Sequence, residues 1–126
     1  MPTAPVPLAP FLIGGEWLRP THLATSPVYN PSTGEVIAAV PLAGAAEADA
    51  AVQAAHVAFP AWAHTPVIDR ARIMFRYRTL VEANFDEIVR IISREHGKTH
   101  AESRGDLFRG LEVIEYSCGA PTWIRW

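Results

Sequence analysis

The sequence has one cysteine, Cys118, among 126 residues, so no internal disulfide can form and nothing points to an oxidising compartment. Charge of one sign is also missing. A formal net charge of −2 gives no basic footprint for nucleic acid. No run approaches the roughly 18 consecutive apolar residues of a membrane span, so neither nucleic acid nor a membrane is expected as partner. A glycine-rich phosphate loop, an HExxH helix and a CxxC pair are all lacking. The proline-rich residues 1–10 have no charged leader ahead of an apolar core, so they do not read as a signal peptide. They are expected to form a loose extended tail on a cytoplasmic protein.

What is present is apolar material. Hydrophobic residues make up 49% of the chain, which argues against disorder. A chain of this length buries roughly two-thirds of its unfolded surface when it folds alone. Residues 11–43 read as a β-hairpin arm. Phe11 to Ile13 and Glu16 to Leu18 flank Gly14-Gly15, a pair suited to the positive φ angles of a tight hairpin. A polar connection from Arg19 to Ser26 leads to a short strand at Val28-Tyr29. Asn30-Pro-Ser-Thr-Gly34 is dense in turn residues, and Glu35 to Val40 reads as a second strand ended by Pro41.

Residues 44–126 read as four amphipathic helices. Ala48, Val52, Ala55 and Phe59 form the first stripe, and Pro60 ends or kinks that helix. Thr65 as N-cap with Pro66 at the first helical position opens the second, whose stripe is Val67, Ala71, Met74, Tyr77 and Val81. Asn84-Phe-Asp-Glu87 has capping-box spacing and starts a third helix with Phe85, Ile88 and Ile92 on one face. Gly97 ends it in a left-handed conformation. Thr99-His-Ala-Glu102 is a further capping box, followed by a helix of about 20 residues with Leu107, Leu111, Ile114 and Cys118 as its apolar stripe. The stripes are narrow and alanine-rich, which suggests part of a larger body. No change of composition marks a second domain.

Few side chains carry chemistry. His96 and His100 are four apart but straddle the break at Gly97; a metal site needs more ligands, and two exposed residues around a turn is the plainer reading. Cys118 invites a nucleophile reading. Its place on the apolar stripe, near the negative end of the helix dipole, favours a small packing residue instead. Lys98, after the helix-ending glycine, is expected to satisfy terminal carbonyls. Trp17 and Trp62 are expected in a core or an interface.

Arg109 lies about 160° around its helix from Leu107, off the packing stripe. Asp106 and Glu112 stand three residues to either side. A weak surface ion pair and an anion anchor, in which the guanidinium grips a carboxylate with two bonds, are both open. Gly105 and Gly110 each cost the helix about 1 kcal/mol against alanine, which points to a crowded, occupied face.

Four segments in order, Phe11-Leu-Ile-Gly-Gly-Glu-Trp17, Tyr29-Asn-Pro-Ser-Thr-Gly-Glu-Val-Ile37, Ala58-Phe-Pro-Ala-Trp62 and Glu95-His-Gly-Lys98, resemble the N-terminal part of the aldehyde dehydrogenase superfamily. Gly105-Asp-Leu-Phe-Arg-Gly-Leu-Glu-Val-Ile-Glu115 followed by Cys118-Gly-Ala-Pro121 looks most like its CoA-acylating methylmalonate-semialdehyde (malonate-semialdehyde) branch. Other semialdehyde and betaine-aldehyde branches stay open. The resemblance implies an α/β family fold with a Rossmann-like NAD-binding domain, present here only as its N-terminal part. It implies oxidation of a semialdehyde to an acyl-CoA by a homo-oligomeric, NAD- and CoA-using enzyme. Its catalytic cysteine lies downstream of anything in this chain, so no catalytic, cofactor-binding or metal-binding residue is assigned, and the chain alone is expected to be inactive and to bind neither cofactor. The one residue carried over is Arg109, which matches the arginine of the branch's Phe-Arg-Gly motif and is implied to hold the substrate carboxylate. After Pro121 the ending Thr122-Trp-Ile-Arg-Trp126 departs from the family pattern, as a truncated or frameshifted gene product would. A small interaction protein docking on a complete paralogue and a non-functional remnant are the other expectations.

Overall fold

The structure, a computed structural model, describes residues 6–123. It holds two compact units, residues 1–63 and 64–126.

In the first unit the chain turns back on itself twice. β1 (Phe11–Ile13) pairs antiparallel with β2 (Glu16–Leu18), Ile13 facing Glu16. The two residues between them, Gly14 and Gly15, take φ of 62° and 86°, the double positive φ of a two-residue hairpin turn whose twist matches its strands. β3 (Thr25–Tyr29) pairs antiparallel with β4 (Val36–Pro41). β3 is therefore longer than the expected Val28-Tyr29, beginning inside the segment read as a connection. Asn30 closes the loop between them: its Oδ1 accepts the Ser32 amide at 3.0 Å and its carbonyl accepts the Gly34 amide at 2.8 Å. The register slips by one residue near the loop. Ile37 is the extra residue of that bulge, and it is buried.

The end of the tail expected to be loose is tied down. Leu8 bridges β4 in parallel at Ala39. The Ala9 amide donates to the Ala39 carbonyl at 2.8 Å, and the Ala39 amide donates to the Pro7 carbonyl at 2.9 Å. With both backbone groups of Ala39 turned outward, Pro27 opposite it in β3 needs no amide, which is why a proline fits inside this strand. Residues 1–5 of the tail lie outside the described residues.

α1 (Ala45–His64) belongs to the same unit. Glu47 reaches back to accept the Gly44 amide at 2.9 Å, closing the helix start. Pro60 sits inside α1, so of the expected end or kink the end is excluded; it is exposed, where the outer side of a helix opens at little cost. The stripe Ala48, Val52, Ala55 and Phe59 is exposed as well. The half-buried positions are Glu47 and Ala54, two turns apart on another face, where Ala54 stands 3.8 Å from the place a Cβ on Gly14 would take.

In the second unit α2 (Val67–Ala83) and α3 (Phe85–His96) both pack on α4 (His100–Cys118), and the short α5 (Ala120–Trp123) follows. Ala71, Val81, Val89, Leu111 and Cys118 are buried. The caps differ from expectation at two of three places. α2 takes Pro66 itself as N-cap, at ψ 138°, and the Pro66 carbonyl accepts the Asp69 amide at 2.9 Å; its extended ψ makes the helix start one residue later than a Thr65 cap would. Asn84 makes no capping box with Glu87. It is the single residue between two helices, and its Nδ2 donates instead to the Leu80 carbonyl of α2 at 2.8 Å. The expected box at Thr99 and Glu102 is formed, and Gly97 caps α3 at φ 72°, the left-handed position that a Cβ disfavours.

Candidate functional site: the outer face of the fourth helix

α4 has two faces. One carries Ser103, Leu107, Leu111, Ile114 and Cys118, at steps of four, four, three and four, all buried or half-buried. The expected stripe therefore holds, extended by one polar residue that sequence reasoning missed. Ser103 is fully buried, and its Oγ lies 2.9 Å from Ser93 Oγ of α3. Cys118 is a free, buried thiol on this stripe, as a packing residue would be.

The opposite face carries Gly105, Arg109, Glu112 and Tyr116, at steps of four, three and four, flanked by Phe108 and Val113. All six are exposed. Among the described residues nothing crowds Gly105 or Gly110: a Cβ on either would meet no atom of them within 4 Å. Tyr116 stacks on Trp123 of α5, ring centres 5.3 Å apart and 23° between planes.

Arg109 has no hydrogen bond or ion pair among the described residues, so neither Asp106 nor Glu112 holds it. Lys98 explains half of this. Its Nζ lies 2.5 Å from Asp106 Oδ2, so its ammonium serves a carboxylate rather than the helix-end carbonyls expected of it. That ammonium holds Asp106 below the usual carboxylate range, with partial desolvation opposing and smaller attractions from His96 and Arg109 adding to it. Glu102 is also held low, by the Thr99 hydroxyl and then the Thr99 amide; these reach its Oε2 at 2.7 Å and 2.9 Å.

His96 and His100 stand either side of Gly97 and the cap, and no group of three or more potential metal ligands occurs among the described residues. Trp17 and Trp62 are exposed, Trp17 by 66%, so neither is a core residue of this chain. Within the first unit, Leu12, Ile13, Gly14, Ala51, Ala54 and Ala58 line an open apolar depression between the hairpin and α1. No described helix is long and apolar enough to cross a membrane.

The aldehyde dehydrogenase family model matches residues 17–125. The chain belongs to the aldehyde dehydrogenase family. The match runs through most of the ending that the sequence alone sets apart. A malonate-semialdehyde dehydrogenase of Bacillus pumilus is 44% identical over 110 residues, which are 87% of this chain and 23% of that protein. The crystal structure of methylmalonate-semialdehyde dehydrogenase from Oceanimonas doudoroffii superposes with a TM-score of 0.88 at 40% identity, over 95% of this chain and 24% of the other. A Sinorhizobium meliloti protein described as a methylmalonate-semialdehyde dehydrogenase and solved with NAD gives a TM-score of 0.88 at 38% identity, with the same coverage. This aldehyde dehydrogenase chain thus spans about a quarter of the length of the relatives it matches.

Neither the start of α4 nor that of α2 has the form of an NAD cradle. Dinucleotide phosphates sit on free amides at a glycine-rich helix start. Here the start of α4 is closed by the Glu102 carboxylate, which would repel them, and α2 begins at a proline.

Proposed function

We propose that this chain is the N-terminal quarter of a cytoplasmic, homo-oligomeric, NAD-dependent and CoA-acylating malonate- or methylmalonate-semialdehyde dehydrogenase, and that Arg109 binds the carboxylate of its semialdehyde. The carrying observation is the unpaired guanidinium of Arg109 on the exposed face of α4, in a chain whose relatives include enzymes named for carboxylated aldehydes. Arginine suits this task because its planar fork matches both carboxylate oxygens. The oxidation of the aldehyde carbon and acyl transfer to CoA belong to the three-quarters of the relatives' length that this chain does not span. By itself the chain supplies an anion anchor and its helical frame, binds neither cofactor and turns over no substrate.

The test uses a full-length dehydrogenase with this chain as its N-terminal quarter. Arg109→Leu raises KM for malonate semialdehyde by roughly ten- to a hundredfold, the worth of a charge-assisted hydrogen-bond pair, and leaves KM for propanal unchanged. Equal effects on both aldehydes overturn the assignment.

A second reading is favoured by the exposed apolar side chains of α1: a small protein that docks on a complete paralogue. Val52, Phe59 and Trp62 are exposed, and Val57 is 77% exposed, more apolar surface on one helix than a solitary chain normally shows. Intact-mass measurement in native cells separates the two. A product of 13.8 kDa bound to a dehydrogenase supports docking, and a product several times larger supports the first reading.

A further inference from the structure

We infer that Lys98 is a positioning residue for Arg109: by occupying Asp106 it withholds the guanidinium's best intrahelical partner and keeps Arg109 available to an anionic ligand. The inference rests on the reading of Arg109 as a carboxylate anchor and adds how that anchor is kept free.

Two carboxylates on α4 stand within reach of Arg109 by spacing, Asp106 three residues before it and Glu112 three after. They are unequal, because an acid placed N-terminal to a base is the better arrangement on a helix, in line with the helix dipole. Asp106 is therefore the competitor that matters, and it is the one Lys98 takes, with Nζ 2.5 Å from Oδ2. Lys98 has little else to take. Glu102 also attracts it, but the Glu102 carboxylate is spent in the cap, accepting the Thr99 amide at 2.9 Å and the Thr99 hydroxyl at 2.7 Å.

The joint between α3 and α4 sets this division of partners. Gly97, in its left-handed conformation, turns the chain so that Lys98 precedes the cap and lies alongside the next helix. Thr99 fixes Glu102, Lys98 fixes Asp106, and both acids of the first two turns are committed before Arg109 is reached. Arg109 is left with no ion pair among the described residues, on a stripe that Gly105 leaves open.

The test is a set of variants in the same full-length dehydrogenase, read as KM and kcat on malonate semialdehyde and on propanal. Lys98→Met frees Asp106 to pair with Arg109. KM for malonate semialdehyde then rises by about twofold, the strength of an exposed helical ion pair, while kcat and both constants for propanal stay unchanged. Lys98→Arg keeps the cation on Asp106 and keeps the low KM. Adding Asp106→Asn to Lys98→Met removes the competitor and restores it. A merely structural role for Lys98 gives the opposite pattern, in which Asp106→Asn fails to rescue and propanal turnover falls too; that result overturns the inference. An Arg109→Leu variant with unchanged KM fails the anchor reading itself. In that event the titration of Asp106 by NMR still decides the positioning: Arg109→Leu must raise the Asp106 pKa more in the Lys98→Met background than in the parent, and an equal rise in both overturns it.

Discussion

Arg78 of α2 grips Glu115 of α4 with two nitrogens, Nε at 2.9 Å and Nη2 at 2.8 Å from Oε1, while its Nη1 reaches Glu82 on its own helix at 2.6 Å. The guanidinium thus ties α2 to the last turns of the helix that carries Arg109. Glu115 is the main reason the Arg78 pKa is raised. The groups are partly exposed, so the clamp adds to a contact made chiefly by apolar burial. Arg78→Met lowers Tm measurably, and Glu115→Gln lowers it by less, because the arginine also holds Glu82; the double variant loses little more than Arg78→Met alone. Leu111→Ala, which empties a buried site, costs about 3 kcal/mol and gives the larger drop. Additive losses in the double variant would show that the two residues act separately.

Acid should loosen the joint between α3 and α4. Glu102 and Asp106 both have lowered pKa values in the folded chain. A carboxylate with a depressed folded pKa contributes stability that is present above its unfolded pKa and is lost as pH falls through the folded one. The window therefore lies from the ordinary carboxylate range downward, and neutral pH holds the full effect. Hydrogen exchange of the Glu102 amide, the one capped by Thr99 Oγ1 at 3.3 Å, speeds up across that window relative to amides in the middle of α4. Thr99→Ala removes the cap at a cost of about 1 kcal/mol and flattens this pH dependence. An unaltered slope in that variant would mean that the carboxylate is not acting through the cap.

The parts of this fold legible in the sequence are those decided within a few residues. Gly14-Gly15, Gly97 and the Thr99 box each answer a local demand for a positive φ or an orphan amide, and each is found where its residues place it. The stripes of α3 and α4 are legible because period and burial agree there. α2 shows where this stops. After Val67, Ala71 and Met74 the next inward step can be three or four residues, and apolarity chooses Tyr77. The structure turns Tyr77 outward, 50% exposed, and brings Arg78 inward because Glu115 waits on another helix, a partner 37 residues away that no local rule detects. Lys98 and Asp106 are eight apart across a cap, beyond helical spacing, so the sequence offers Arg109 an acid that is already taken. On α1 the apolar stripe is real in the sequence yet exposed, since nothing among the described residues covers it.

Cys118 is the chain's one thiol and is 5% exposed, at the C-terminal end of α4. In the folded protein it should react with an aromatic disulfide reagent far more slowly than in denaturant, and the rate should follow opening of the contact between α2, α4 and α5. Ile68, Ala71, Phe75 and Pro121 surround the adjoining depression. Ile68→Ala, which trims that wall and leaves Cys118 itself unchanged, should speed labelling. A fast reaction in the parent, unaffected by that change, would show the thiol to be open to solvent.

The Ser93 and Ser103 hydroxyls meet at 2.9 Å between α3 and α4, with Ser103 wholly buried beside a core that includes Val89, itself 2% exposed. Removing one hydroxyl leaves its partner beside an apolar gap, so Ser103→Ala costs about 1 kcal/mol or more. Removing both deletes donor and acceptor together, so Ser93→Ala with Ser103→Ala comes out nearer to the parent than Ser103→Ala alone. The measurement is a double-mutant cycle by urea unfolding, and coupling of the opposite sign would mean that the pair is not a hydrogen bond in solution. The result bears on the site as well, because Ser103 and Arg109 share one helix. A hydroxyl pair that fixes the height of α4 against α3 also fixes how far Lys98, at the end of the joint, must reach to hold Asp106. Ser103→Ala should therefore raise the Asp106 pKa slightly, whereas the double variant, with both hydroxyls gone and the helices free to close, should return it toward the parent value.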